Sequence, residues 1–288
     1  MPANIHPRAR TLLVPALAAA FIGQAGAETI QFKPVDPAVV EQRFNQVVKK
    51  NSERADALRK LFVQAGCAGD KLTDQAIKGS DLSNIVCTLA GSGNGVVVVG
   101  AHYDKSRGGE GAVDNWSGAA LLPSLYESLA GTPRNATFVF VGFADQDRAG
   151  SGAASYVKAS GGKLSNVRAM VNLSCLGLSP TKVAMDHSNK ELVNALARIA
   201  ASMKLPVSGM DLGGSMETGA IAFQKKKVPV VDLHSVTQQT ASLPGSDNDS
   251  RSAVNMDEYK TTYRLVSAYL AYLDLVLAKP APAASASQ

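Results

Sequence analysis

VVVVGAHYD, residues 96–104, sets four valines, a glycine and an alanine ahead of the first polar side chain, His102. Valine is β-branched and stiff at χ1, so the run favours extended backbone. It shows no alternation of apolar and polar residues, so both faces of the strand must be buried. Such strands belong to parallel sheets covered by helices on both sides. Ala136–Phe143 (ATFVFVGF), Val167–Leu173 and Val228–Leu233 repeat the pattern, and Asn84–Leu89 and Lys182–Met185 add two more expected strands. The turn GSGNG joins 84–89 to 96–101.

Helical spacing fills the gaps. Ser117–Ala130, Ala153–Ser160, Glu191–Met203 and Met256–Leu277 read as amphipathic helices, and 37–65 as another, opened by Asp36-Pro37 and stopped by Gly66. Alternation of these with buried strands predicts an α/β fold: a three-layer α/β/α sandwich around a mixed, mostly parallel sheet. No linker and no repeat interrupts it, so residues 28–278 form one domain. The last ten residues, KPAPAASASQ (279–288), are low-complexity and expected to be disordered.

The N-terminus reads as a secretory signal over 1–27. Arg8 and Arg10 are the basic start, Thr11 to Ile22 the apolar stretch, and Ala25-Gly26-Ala27 the cleavage site before Glu28. The apolar stretch is short for a membrane anchor, so an exported chain, periplasmic or secreted, with no stable anchor after cleavage is expected. Losing Arg8 and Arg10 from the formal +5 leaves +3. Lys225-Lys226-Lys227 follows a helical-looking Met216–Gln224 and reads as a solvated helix cap, not a nucleic-acid patch. Export permits disulfides, and Cys67 and Cys87, flanking a polar loop, are expected to bridge. Cys175 is then a buried thiol. A content of 45% hydrophobic residues excludes a disordered chain. Four histidines and three cysteines exclude a zinc-finger array.

In sheets of this kind sites form past the carboxyl ends of strands. His102-Tyr103-Asp104 follows the valine run, Asp114-Asn115-Trp116-Ser117-Gly118 opens the next helix, and Ala144-Asp145-Gln146-Asp147 follows ATFVFVGF. A histidine and carboxylates from successive strand ends can converge on a metal. His102 offers one ring nitrogen while Asp104 orients its imidazole, and Asp114 has two oxygens to share between cations. Singly, each has a plainer explanation: His102 as a satisfied core histidine, Asp114 and Asp147 as helix caps.

Together, VVVVGAHYDKS, GAVDNWSGAAL and FVGFADQD…GSGAASYV resemble the co-catalytic zinc aminopeptidases, metallopeptidase family twenty-eight, from about Asn84 to Leu277. That family includes secreted leucyl aminopeptidases and glutaminyl cyclases. The resemblance implies metal ligands at His102, Asp114 and Asp147, with Asp104 behind His102. It puts the family's general base at Gln146, an amide that accepts no proton at neutral pH. Asp147 is a methylene shorter than the family's glutamate. Two ligand positions are degenerate. The NxD aspartate is Ser174, and the histidine of YHTxxD is Gly245, although Asp249 keeps that motif's aspartate. SDHxxF becomes Thr218-Gly219-Ala220 before Phe223.

Catalytic zinc usually takes three protein ligands. The resemblance therefore implies at most one weakly held zinc or none, and an impaired peptidase whose cleft still takes a peptide or protein ligand. The alternative is an active aminopeptidase with a rearranged metal site, using Asp145 as base or His234 as ligand. The plainer readings of those two are a surface carboxylate and a polar loop residue. GSGAAS lacks the third glycine of a dinucleotide loop, DNDSRS places Arg251 at a calcium-ligand position, and no G-x-S-x-G elbow occurs.

Overall fold

The computed structural model describes residues 30–105, 108–146, 151–211 and 218–277. The expected signal 1–27, the tail 279–288 and Asp147 lie outside the described residues. The chain runs α1 (Pro37–Phe44), α2 (Asn51–Gln64), β1 (Leu72–Ala76), β2 (Ser83–Leu89), β3 (Val96–His102), α3 (Ser117–Ala119), α4 (Leu121–Ala130) and β4 (Thr137–Phe143). It continues α5 (Ser151–Ser160), β5 (Val167–Leu173), β6 (Lys182–Val183), α6 (Lys190–Met203), β7 (Ser208–Gly209), α7 (Ala220–Gln224), β8 (Val230–His234) and α8 (Met256–Leu277).

The strands form one eight-stranded sheet in the order β1-β2-β4-β3-β5-β8-β6-β7. β4, β3, β5 and β8 are parallel, while β1 and β2 at one edge, and β6 against β8, run antiparallel. Strand side chains alternate between the two faces. Val97, Val99, Phe138, Phe140, Ala169, Val171 and Val231 enter a core shared with α1, α2, α4, α6 and α8. Val98, Val139, Val141, Met170 and Val230 enter a smaller core shared with α5 and α7. The three expected layers are therefore present, one helical layer much thinner than the other.

Several expectations are corrected. Residues 37–65 are two helices, because α1 packs on α4 and α8 while α2 packs on β2 and α4. The break is stabilised by side chains: Trp116 Nε1 donates to the Phe44 carbonyl (2.8 Å) and Arg54 Nη1 to the Val48 carbonyl (3.1 Å). Ser117–Ala130 divides near Pro123, whose ring nitrogen has no N–H for the helical ladder. The segments 84–89 and 96–101 are strands but not partners, since β4 lies between β2 and β3. Lys182–Met185 shortens to β6 plus a turn of 3-10 helix over Met185–His187. β1 (LTDQA) is a mostly polar edge strand lacking any apolar alternation, so sequence pattern gave no sign of it. Cys67 and Cys87 form a disulfide tying the end of α2 to β2, and Cys175 is free and buried. No helix among the described residues is long and apolar enough to cross a membrane.

β3 is the pivot of the sheet. From it the chain first adds β4 on one side, then crosses to β5 on the other. Loops leaving the carboxyl ends of neighbouring strands diverge there and open a crevice. His102 is the last residue of β3.

Candidate functional site

Four loops meet at that crevice. His102 comes from β3, Asp114 from the turn Ala112–Trp116, Ser174 and Cys175 from the end of β5, and Gly245–Asp249 from the loop before α8. His102 Nε2 lies 3.1 Å from Asp114 Oδ1. Its Nδ1 faces Asp104, with the main-chain carbonyl at 3.1 Å and the carboxylate Oδ1 at 3.6 Å. The backbone carbonyl, more than the carboxylate, thus orients the ring. Burial opposes a charge on this imidazole, but hydrogen bonds and charge from Asp104 and Asp114 outweigh it and push the pKa up to about 10. Asp114 is held below its ordinary value, burial being outweighed by His102, Cys175 and Arg54.

Asp249 is the tie between loops. Its Oδ1 accepts from Val113 N–H (2.7 Å) and its Oδ2 from Asp114 N–H and Gly245 N–H (both 3.0 Å). One carboxylate therefore brings Gly245 beside Asp114. Gly245 has φ +70, the left-handed region that favours glycine. Asn115, joined to Asp114 by a cis peptide, donates to the Leu173 carbonyl and accepts from Gly118 and Cys175 N–H.

Asp104 also bonds across strands: its Oδ2 accepts from Gln146 N–H at 2.9 Å, fixing the end of β4 against the end of β3. Gln146 itself is buried. α5 approaches this corner closely because Gly152 has no side chain. A Cβ there would lie 2.2 Å from the Ala144 carbonyl oxygen. Asp145 is half-buried with φ +54, and its charge helps push the Tyr103 phenol up, secondary to burial and to Asp104.

Ser174 accepts from Asn172 Nδ2 (2.9 Å), which also donates to Asp232 Oδ1 (2.8 Å). Asp232 lies opposite Asn172 across the β5–β8 pair and takes a second bond from Thr218 Oγ1 (2.6 Å). Burial raises the Asp232 carboxyl despite these donors. Cys175 Sγ is 3.6 Å from Asp114 Oδ1, and burial next to carboxylates pushes the thiol well up, away from the reactive thiolate. His234 is engaged elsewhere. Its Nε2 pairs with the Met210 carbonyl and its Nδ1 accepts from Val236 N–H, each at 3.2 Å. The structure thus brings together His102, Asp104, Asp114, Ser174 and Gly245, and does not bring His234 to them. Among the described residues no three His, Cys, Asp or Glu side chains are grouped to hold a metal ion.

Arg54 was not anticipated. From α2 it enters beneath the site, fully buried, and donates to the carbonyls of Tyr103 (2.5 Å), Glu110 (3.0 Å) and Gly111 (2.7 Å) while lying over the Trp116 ring. Burial draws its pKa down to about 10 although Asp104, Asp249 and Asp114 oppose this, so it stays a cation at neutral pH. A signal was available: Arg54, Leu58, Leu61 and Phe62 share one helical face, an arginine where spacing calls for an apolar side chain.

The fold is shared with solved structures. The Legionella pneumophila LapA aminopeptidase matches with TM-score 0.75 at 17% identity, over 83% of this chain and 72% of that one. An Acidobacteriales bacterium glutaminyl cyclase matches with TM-score 0.69 at 16% identity, over 89% and 99%. BSAP, a zinc aminopeptidase from Bacillus subtilis, matches with TM-score 0.60 at 19% identity, over 66% of this chain and 49% of that one. At such identities the likeness is one of fold. No protein of curated function matches the sequence. A family match spans residues 84–270, from β2 into α8, and takes in every loop that meets at His102, which makes this chain a member of peptidase family M28.

Proposed function

We propose that this chain is an exported pseudopeptidase of its family: it retains a cleft for a peptide and has lost most of the hydrolytic machinery. The observation that carries the reading is Gln146. Its backbone N–H donates to Asp104 Oδ2 at 2.9 Å, which sets residue 146 beside the carboxylate behind His102, and the family resemblance puts the general base at this amide. An amide takes no proton from water, and loss of general-base catalysis costs about 10²–10⁴-fold.

Zinc is the metal of one structural relative, the Bacillus subtilis aminopeptidase. In this chain Ser174 offers a hydroxyl already bonded to Asn172, and Gly245 offers no side chain. These residues do not fit a two-zinc centre. His102, Asp114 and Asp147 would hold one zinc at most, weakly, or none. The peptide or protein ligand would lie along the cleft over these residues.

Two measurements test this. Protein purified without chelator should carry well under two zinc ions per chain, and aminoacyl anilides should not be turned over. Chelator-sensitive turnover abolished by His102→Ala would sink the proposal and favour an active aminopeptidase with a rearranged site. Weak metal uptake without turnover fits it.

A further inference from the structure

The thinner helical layer leaves a trough. Between α5 and α7 a pocket of about 590 Å³ begins at Gln146 and Thr218 and runs outward over Val157, Leu164 and Ile221. Its rim carries Lys158, Lys225 and Lys226, all exposed. A second pocket of about 470 Å³ shares Leu164 and Lys226 with it and adds Arg168 and Lys227. Among the described residues none of these five cations is paired with a carboxylate. The reason lies in the sequence: residues 154–168 and 218–229, which supply the lining of both pockets apart from Gln146, contain no aspartate or glutamate. A run of lysines that merely capped α7 would need neither the apolar floor nor the unmatched cations of the opposite wall.

From this we propose that the trough binds an acidic stretch of peptide, apolar side chains over Val157, Leu164 and Ile221 and carboxylates at Lys158, Lys225 and Lys226. The inference rests on the peptide-binding reading of the cleft at His102 and extends it to the trough that begins at Gln146, naming the chemistry of the ligand preferred there. The volume is that of an ordinary ligand pocket. The inner end is polar, Gln146 and Thr218, which suits the amides of a peptide and not the methyl end of an acyl chain. Cations on a partly apolar rim select by charge and accelerate encounter, an effect that salt screens.

The probe is a labelled peptide alternating leucine and glutamate, with a second in which glutamine replaces every glutamate. Binding to the full chain is read by fluorescence anisotropy. The glutamate peptide should bind about tenfold or more tightly than the glutamine peptide, and lose that advantage at about 0.5 M salt. Lys158→Glu/Lys225→Glu/Lys226→Glu, all exposed positions, should abolish the difference while leaving the far-ultraviolet spectrum unchanged. Equal binding of both peptides, unaltered by the triple variant, overturns the acidic preference and leaves peptide binding standing. Binding of neither overturns both. Should the triple variant misfold, Lys225→Gln alone must still weaken the glutamate peptide and spare the glutamine one.

Discussion

His102 Nε2 and Asp114 Oδ1 lie 3.1 Å apart, in direct hydrogen-bond contact. Imidazole and carboxylate satisfy one another, and the ring is held on its other side by Asp104. A pair of this kind is an internal ion pair whenever the imidazole is protonated.

The pair makes the protein pH-sensitive. The folded pKa of His102, about 10, stands above the ordinary 6.5, so its contribution to stability is complete below about 6.5 and is lost as pH rises through about 10. Urea unfolding of wild type and His102→Gln, compared from pH 6 upward, should show a gap that narrows toward pH 10. A constant gap would count against the pair.

Arg54 should matter more for stability than any exposed cation. Arg54→Met leaves the carbonyls of Val48, Tyr103, Glu110 and Gly111 without their donor. Buried acceptors stranded in this way cost on the order of 3–5 kcal/mol together. Arg54→Lys should recover little, since an ammonium cannot span the same fork of carbonyls. Denaturation midpoints decide it.

Asp249→Asn keeps the size of the side chain but removes its charge and leaves one oxygen where two now accept three N–H groups. A loss of about 2 kcal/mol is expected. Amide exchange at Gly245 and Asp114 should quicken selectively, and uniform exchange would show that Asp249 does not tie these loops.

Introducing at Ser174 and Gly245 the ligands that the family resemblance implies there should be unequal in cost. Gly245 has φ +70, where a side chain costs about 1–2 kcal/mol, so Gly245→His should lower the midpoint. Gln146→Glu with Ser174→Asp should raise zinc content, read by metal analysis, before any turnover returns. Unchanged zinc content would mean that these positions do not correspond to the family's.

Opening the Cys67–Cys87 bridge, which closes a 20-residue separation, should cost about 3 kcal/mol in the chain-entropy account. Cys175, buried beside Asp114, should resist thiol reagents until the protein unfolds. Fast labelling of the native chain would contradict its burial.

Much of this was legible in the residues. The valine run, the alternation of strands with helices and the motifs around His102, Asp114 and Gln146 are local patterns, because burial on both faces of a strand constrains each of its residues. The same is true of the residue types at Gln146, Ser174 and Gly245, whose chemistry is set whatever the packing. Tertiary structure alone decided what depends on distant partners: that β4 separates β2 from β3, that Arg54 is buried under the carbonyls of Tyr103, Glu110 and Gly111, and that Asp249 joins Gly245 to Asp114. It also decided that the ring nitrogens of His234 are taken by Met210 and Val236, and that lysines from α5 and the end of α7 face one trough. Hydrogen bonds spanning more than a hundred residues, such as Asp249 to Val113, leave no periodicity in sequence, since only the folded path of the chain makes those residues neighbours.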